Sequence, residues 1–527
     1  MSKTSPRAAW LYLPLLIAAV SFAHSADPIT EDTTWSGDVE IEGPLEVQEG
    51  ATLSIDPGTT VSMSDNTTIT VRGRLLADGT EESPIRFTRS ENTDTWERIL
   101  LIGADGSRFR HCIVEYSDCE GDHKDYYDDR DEDCEFISEG RDPRDYNEAI
   151  VAIASDVEFT GCTFQNLPQA SNGEGDAIAI ISDDPQFPGE STAHIDSCTF
   201  QSIGQGIHTR YAYVLVEDCY FNDHNGDNDD VDLYGESDPP PLIRNNLFIE
   251  PDDDDMINPT RCSAILEGNI ISGSGDHGIV LRDRCDPILI NNLIYDCSSA
   301  GIAVQNTCNA TLINNTIADC RRGVRFFDHT GRWDRPYCLD PGSGRATLIN
   351  CVIWDCDEPL ELSDTSFDGD PGSHVIVDHC AIVNGQDDFD IDPESTVTWL
   401  DGNVTITEDP FVDADAGDFQ LVEGSPLVNA GKNEDAPAED FDGNKRPCGG
   451  TVDIGAYEYG DCDDPPPPVD PQFVRGDTNG DGLGDISDPV ALLLHLFAGR
   501  EPPSCMKSAD ANDSGVLDLS DAIYFLN

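Results

Sequence analysis

Ile290-Asn291-Asn292-Leu293-Ile294, Ile313-Asn314-Asn315-Thr316-Ile317 and Ile349-Asn350-Cys351-Val352-Ile353 repeat one pattern. The first two stand about one 23-residue period apart, and a fixed period of this length marks a solenoid. The Asn/Cys position continues in both directions as a column: Cys112, Cys162, Cys198, Cys219, Asn246, Asn269, Asn292, Asn315, Cys351 and Cys380. Its spacing stays close to that period through the middle and lengthens where loops intervene.

A second column reads Ile150, Ile178, Ile207, Val231, Met256, Ile279, Ile302 and Val324, in steps that shorten toward the same period along the chain. Short alternation follows each member, as in Ile279-Val280-Leu281-Arg282, which is a strand signature of period two. Gly206, Gly278, Gly301 and Gly323 precede the apolar residue, where the backbone turns into the strand.

A coil of about 23 residues holds two or three short strands and cannot bury its apolar side alone. Stacked coils share one continuous core, and every strand pairs with those above and below. Asn at a repeated inward corner can hydrogen-bond its neighbours in a ladder, and Cys is small and soft enough for the same place. Cys262, Cys285 and Cys308 form another stack, and Cys297, Cys320 and Cys356 follow the Asn/Cys column at a constant offset. Most of the 18 cysteines therefore read as buried thiols. Cys119 with Cys134, and Cys448 with Cys462, read as bridges.

These repeats resemble the right-handed parallel β-helix family that includes pectate lyases and many bacterial surface proteins, over roughly residues 35–400. The segment from Gly50 to Val61 resembles the first coils of such helices, as does Val71-Arg72-Gly73-Arg74-Leu75 leading to Pro84-Ile85-Arg86-Phe87. The fold class expected is all-β, a parallel β-helix with a small α-helical calcium-binding module after it. N-terminal coils are expected over 30–110 and central coils over 111–405, with an acidic insertion at 118–147. A closing segment at 406–460 is expected to cap the last coil. It resembles the end of many exported bacterial β-helix proteins, which often carry an anchoring module next.

The chain opens as a secretory signal over residues 1–25, with Lys3 and Arg7 before an apolar stretch and small residues at Ala23-His24-Ser25. With 30 Lys+Arg against 103 Asp+Glu, the net charge is −73, which repels nucleic acid and anionic membranes and suits divalent cations.

Residues 461–472 hold four consecutive prolines, a stiff spacer. Residues 473–527 follow with two calcium-loop patterns. Asp477, Asn479, Asp481, Asp485 and Asp488, with the Leu483 carbonyl, make the first. Asp510, Asn512, Ser514, Asp518 and Asp521, with the Val516 carbonyl, make the second. Calcium needs six to eight hard oxygen ligands, and this spacing supplies them from a short chain. The pair resembles the type I dockerin family, which implies calcium and a cohesin-like scaffold partner. Positions ten and eleven, where that family's recognition residues lie, hold Ile486-Ser487 and Leu519-Ser520.

Outward residues beside the second column form a face suited to an extended polysaccharide. One row reads Val151, Ala179, His208, Asp232, Ile257, Val280, Ala303, Arg325. The next reads Ile153, Ile181, Arg210, Tyr234, Pro259, Arg282, Gln305, Phe327. Polar groups concentrate on the middle coils. A lyase needs a base, which His208, Arg210 or Arg282 would supply, and a cation for the uronate carboxylate, which calcium on Asp230, Asp254 and Asp276 would supply. A glycoside hydrolase would instead pair Asp232 with Asp230 or Asp255. The rival reading is a non-catalytic surface or adhesive protein with the same calcium-stabilised tail.

Overall fold

The computed structural model describes residues 22–24, 27–118, 148–167, 175–182, 184, 186–224, 229–249, 255–327, 342–363 and 372–460. In the C-terminal part it describes residues 478, 487–498, 503, 506–509, 511–512 and 514–526. The acidic insertion from residue 119 onward, the proline spacer, Cys119, Cys134, Cys462 and Asp254 lie outside the described residues.

Residues 1–460 form one compact unit and residues 461–527 another. In the first, three strands recur per coil and stack into parallel sheets of 14, 15 and 13 strands. Each turn of chain visits the 14-stranded, the 15-stranded and the 13-stranded sheet in that order, as in Leu242–Arg244, Leu247–Ile249 and Ile257–Thr260. A three-residue strand at Phe22–His24 pairs with Asp38–Ile41, inside the segment read as a signal.

The Asn/Cys column is the corner between the 14- and 15-stranded sheets. The Asn292 amide donates to Leu266 O at 2.9 Å and to Asn315 Oδ1 at 2.8 Å. Its own oxygen accepts from the Asn269 backbone N–H and side-chain amide, both at 3.0 Å. Asn246, Asn269 and Asn315 repeat the pattern, and Asn403 extends it by accepting from Cys380 N at 2.7 Å. The ladder satisfies corner N–H groups that no strand partner reaches. Cys fits because sulfur still accepts weakly: Cys351 N lies 3.3 Å from Cys380 Sγ. Twelve described cysteines are buried and are drawn without a sulfur–sulfur bond, Cys285 and Cys308 among them. Cys448 is disulfide-bonded.

Inside the 15-stranded sheet, Phe164, Phe200, Phe221 and Phe248 stack with centroids 5.1, 4.7 and 4.4 Å apart. Such pairs add about 0.5–1.5 kcal/mol each beyond burial. At the corner into the 13-stranded sheet, a Cβ on Gly301 would stand 2.7 Å from Ile317 Cγ2, so these glycines answer to space.

The two larger sheets alternate buried and half-buried residues. Several central strands of the 13-stranded sheet are instead buried on both faces: Glu148–Ile153, Asp176–Ile181, Ile207–Arg210 and Ala300–Gln305.

The closing segment lies along the side of the helix. Its antiparallel pair Phe411–Asp413 and Asp418–Leu421 brings Phe411, Phe419 and Leu421 against Leu293, Ala318, Val352 and Ala381 on the outer face of the 15-stranded sheet. Asn314 and Asn350, both at positive φ (55° and 53°), hold it with amide bonds to Gly455 O and Lys432 O at 2.9 Å each. It covers a sheet face as well as following the last coil, which the local motifs do not reveal.

In the C-terminal unit, helices Ser487–Ala498 and Leu519–Leu526 pack on each other.

Candidate functional site

The register of the 13-stranded sheet corrects the sequence alignment at one strand. Val231 pairs with Ile257, and Ile257 with Ile279, so Ile257 and not Met256 belongs to the inward column. Asn258 and Thr260 therefore take the outward places given above to Ile257 and Pro259. A slip of one residue exchanges the two faces of a strand.

With that register, one row runs Val151, Ala179, His208, Asp232, Asn258 and the next Ile153, Ile181, Arg210, Tyr234, Thr260. The outward face is apolar at Leu100, Ile102, Val151, Ile153, Ala179 and Ile181, which form their own cluster with Phe187. It is apolar again at Val280, Ala303 and Phe327. Between the two clusters it is polar for three strands.

This face is not an open groove. His208 is 0 % exposed, Asn258 2 %, Arg210 4 % and Tyr234 5 %. Sequence rows show which side of a strand a residue takes, but not what lies over it.

Two charge clusters occupy the strip. In the first, His208 Nδ1 stands 3.0 Å from Glu148 Oε1, both fully buried. Burial pushes the Glu148 carboxyl up, and the His208 bond, with the His208 and Arg98 charges, more than offsets this, leaving it below the ordinary carboxylate range. Glu148 lies two residues before Ile150, as Asp176 does before Ile178 and Asp229 before Val231. That repeated acid was the available signal for it.

In the second, His277 Nδ1 donates to Asp255 Oδ1 at 2.8 Å and lies 3.2 Å from Asp276 Oδ1. Arg282 Nη2 donates to Asp255 Oδ2 at 3.0 Å. Burial pushes His277 down, but the two carboxylates overcome it and raise its pKa to about 9. The ring stacks over Phe327 with centroids 6.2 Å apart, and the Arg325 guanidinium lies 4.1 Å from the centroid of that same ring. Ligand atoms of Asp255, Asp276 and His277 lie within 4.8 Å of one another, a set able to hold a cation once His277 gives up its proton.

Between them, the Asn258 amide donates to Asp229 Oδ2 at 2.6 Å, and Thr260 Oγ1 to Asn258 Oδ1 at 3.1 Å. Asp232 sits half-buried between His208 and Asn258 in register. Asp230 is buried and pairs with His224.

Of the residues singled out from sequence, His208 and Arg210 share a strand, and Asp232 is next to His208. Arg282 stands three strands from His208, about 14 Å along the stack. Asp230 and Asp276 sit two coils apart and are paired to different histidines, so the three-aspartate patch is not a single site among the described residues. Asp255, the residue after the undescribed Asp254, holds His277 and Arg282. Glu148, His224, Asn258 and Thr260 are additions.

In the C-terminal unit, Asp477, Asn479, Asp481, Leu483, Asp485 and Asp510 lie outside the described residues. Asp488 and Asp521, twelfth in their loops, are both 0 % exposed. Asp488 Oδ1 accepts from Thr478 N at 2.9 Å, and Asp521 accepts from Asn512 N at 3.3 Å and Asp518 N at 2.9 Å. Ser514 N donates to Asn512 Oδ1 at 2.9 Å, and Ser514 Oγ to the Val516 carbonyl at 3.1 Å.

A family model described as right handed beta helix region matches residues 255–430. One described as periplasmic copper-binding protein (NosD) matches residues 160–333. No curated protein matches the chain. Among solved structures, a mannuronic acid specific polysaccharide family 6 lyase from human gut microbiota is 14 % identical, over 72 % of this chain and 83 % of its own, with a TM-score of 0.38. A mutant of the periplasmic alginate epimerase AlgG is 16 % identical over 68 % and 77 %, TM-score 0.38. Pectate lyase Pel9A is 13 % identical over 79 % and 89 %, TM-score 0.30. The chain is a right-handed parallel β-helix with few helices.

Proposed function

We propose that this is an exported, carbohydrate-active β-helix whose polar strip on the 13-stranded sheet acts on an acidic polysaccharide. One observation carries the reading. Between two apolar clusters on the outward face, three neighbouring strands carry His208, Arg210, Asp232, Tyr234, Asn258 and Thr260, and the charged groups Arg282, Arg325 and Glu361 follow on the same rows. Burying His208 with Glu148, or Asp255 with His277, is a poor way to gain stability, because desolvation offsets the attraction. Paired acids and bases held on neighbouring coils, with Glu148 lowered and His277 raised, are instead what acid–base chemistry needs.

In this reading His208 is the base. Glu148 accepts the hydrogen bond from Nδ1–H and fixes the ring, which makes Nε2 the basic nitrogen. Arg210 and Arg282 supply positive charge for a uronate carboxylate. His277, protonated at neutral pH, acts as a cation or acid. A hydrolase would shift the work to Asp232 and Asp255. The second reading is a non-catalytic binding or spacer protein: His208 is 0 % exposed, so its ring does not reach a polymer lying on the surface.

The C-terminal unit is read as a calcium-binding, dockerin-like attachment module. Asp488 and Asp521 are poised at equivalent places, and Asn512, Ser514, Asp518 and the Val516 carbonyl would complete the second site. Val490, Leu494 and Phe497 make an exposed apolar stripe on one helix, Phe497 being 72 % exposed, which suits a protein partner such as a cohesin-like scaffold. Among the described residues no helix is long and apolar enough to cross a membrane.

The test uses residues 26–527 on acidic and neutral polysaccharides, with calcium and with chelator. Unsaturated uronate ends together with new reducing ends, both lost in His208→Ala, support a lyase. Reducing ends alone move the assignment to the aspartates. Neither signal across the panel overturns catalysis and leaves the binding reading.

A further inference from the structure

We propose that Cys285 and Cys308 are joined by a disulfide across neighbouring coils. The two residues are 23 apart, the same offset that pairs Ile288 with Thr311 and Ile290 with Ile313. They therefore hold equivalent places where the chain turns from the 13-stranded to the 14-stranded sheet. Parallel strands stand about 4.8 Å apart, which is inside the α-carbon range of a bridge.

The sulfurs stand 2.6 Å apart, far inside the contact distance of two unbonded sulfurs. A bond needs a further approach of only about 0.5 Å. Cys308 Sγ also lies 3.1 Å from Cys285 O, which ties it to the neighbouring turn. Cys262 continues the column one coil earlier, but among the described residues its sulfur makes no such contact. The pairing is thus 285 with 308, and Cys262 stays a thiol. Elsewhere in the chain, Cys448 is already disulfide-bonded.

Both residues are 0 % exposed. Burial, followed by the neighbouring Cys308, holds the Cys285 thiol well above its ordinary range, so the folded protein offers little thiolate for exchange. The bond must form while the coils stack. Two thiols lose two protons and two electrons to a disulfide oxidant, which leaves as the dithiol, and one sulfur–sulfur bond is made. The bridge would lock the turn that follows Arg282, where the Asn306 amide already donates to Asp283 Oδ1 at 2.9 Å. Arg282 would then be presented by a cross-linked corner.

The test is a disulfide map of the full chain secreted from an exporting host. The protein is unfolded without reductant, its thiols are alkylated, and it is cut before aspartate. Asp283-Arg284-Cys285 and the peptide 296–318 are expected as one species, two hydrogens lighter than their sum, with Cys297 alkylated and Cys308 not. Reduction should separate them. Alkylation of both Cys285 and Cys308 in the unreduced protein overturns the proposal, as does a link from Cys285 to Cys262 or Cys297. The wild-type map decides the matter even if Cys285→Ser fails to fold.

Discussion

Asp255 accepts a 2.8 Å hydrogen bond from His277 across neighbouring coils, and the two side chains are almost wholly buried. Arg282 takes the other oxygen of the same carboxylate. Asp255→Asn would take from buried His277 and half-buried Arg282 the carboxylate they share, leaving His277 only Asp276. Removing one partner of a buried pair costs about 3–5 kcal/mol. Urea unfolding at pH 6 should show a loss of that order, and the His277 pKa, read by NMR, should fall from about 9.

Stability should decline as pH rises from 6.5 to 9. His277 has a folded pKa of about 9 against an ordinary 6.5, so its contribution is complete below 6.5 and gone above 9. That gap amounts to about 3 kcal/mol. Glu458 acts in the same direction lower down. Burial and the Asp453 charge raise it to about 7 from 4.5, so folding is favoured as pH falls through that window. Glu148, Asp276 and Asp378 are held below their ordinary values, and their contribution is lost only in stronger acid. Melting temperatures measured from pH 3 to 10 should peak in the mildly acidic range. A maximum at pH 8 or above would contradict these assignments.

Asn292→Ala should destabilise the helix by about 1–3 kcal/mol, because the buried Asn269 backbone N–H loses its acceptor at 3.0 Å. Asn292→Cys should cost less, since Cys219, Cys351 and Cys380 occupy the same column elsewhere. Denaturant midpoints of the two variants decide it. Equal losses would mean that the ladder's hydrogen bonds contribute nothing beyond side-chain volume.

Chelation should unfold the C-terminal unit and spare the β-helix. Asp521→Ala should remove one of two calcium sites, since Asp521 holds both the Asn512 and the Asp518 N–H groups. Calorimetric titration of the full chain should show two fewer equivalents after Asp488→Ala with Asp521→Ala. Helical signal unchanged by chelator would contradict the module's calcium dependence.

The solenoid was legible because its period repeats in Asn292, Asn315 and Cys351, residues whose corner geometry recurs in every coil. The site was only partly legible. His208, Arg210, Asp232 and Arg282 stand on the expected sheet, but Met256 imitates the inward column where Ile257 occupies it. Both are apolar, and the intervals through Met256 look as regular as the true ones through Ile257. Glu148 was missed because its partner His208 lies 60 residues away. Burial of the strip was not legible at all, since it depends on what packs over the face and leaves no periodic trace.

The most direct test of the central claim is calorimetric binding of defined oligouronates to wild type, Arg282→Ala and Arg345→Ala. Arg345 is exposed on the 14-stranded sheet and serves as the control. The account predicts binding to wild type and Arg345→Ala, with at least a tenfold loss in Arg282→Ala. Equal affinity in all three, or binding lost through Arg345→Ala alone, would place the ligand elsewhere and contradict the assignment of the polar strip.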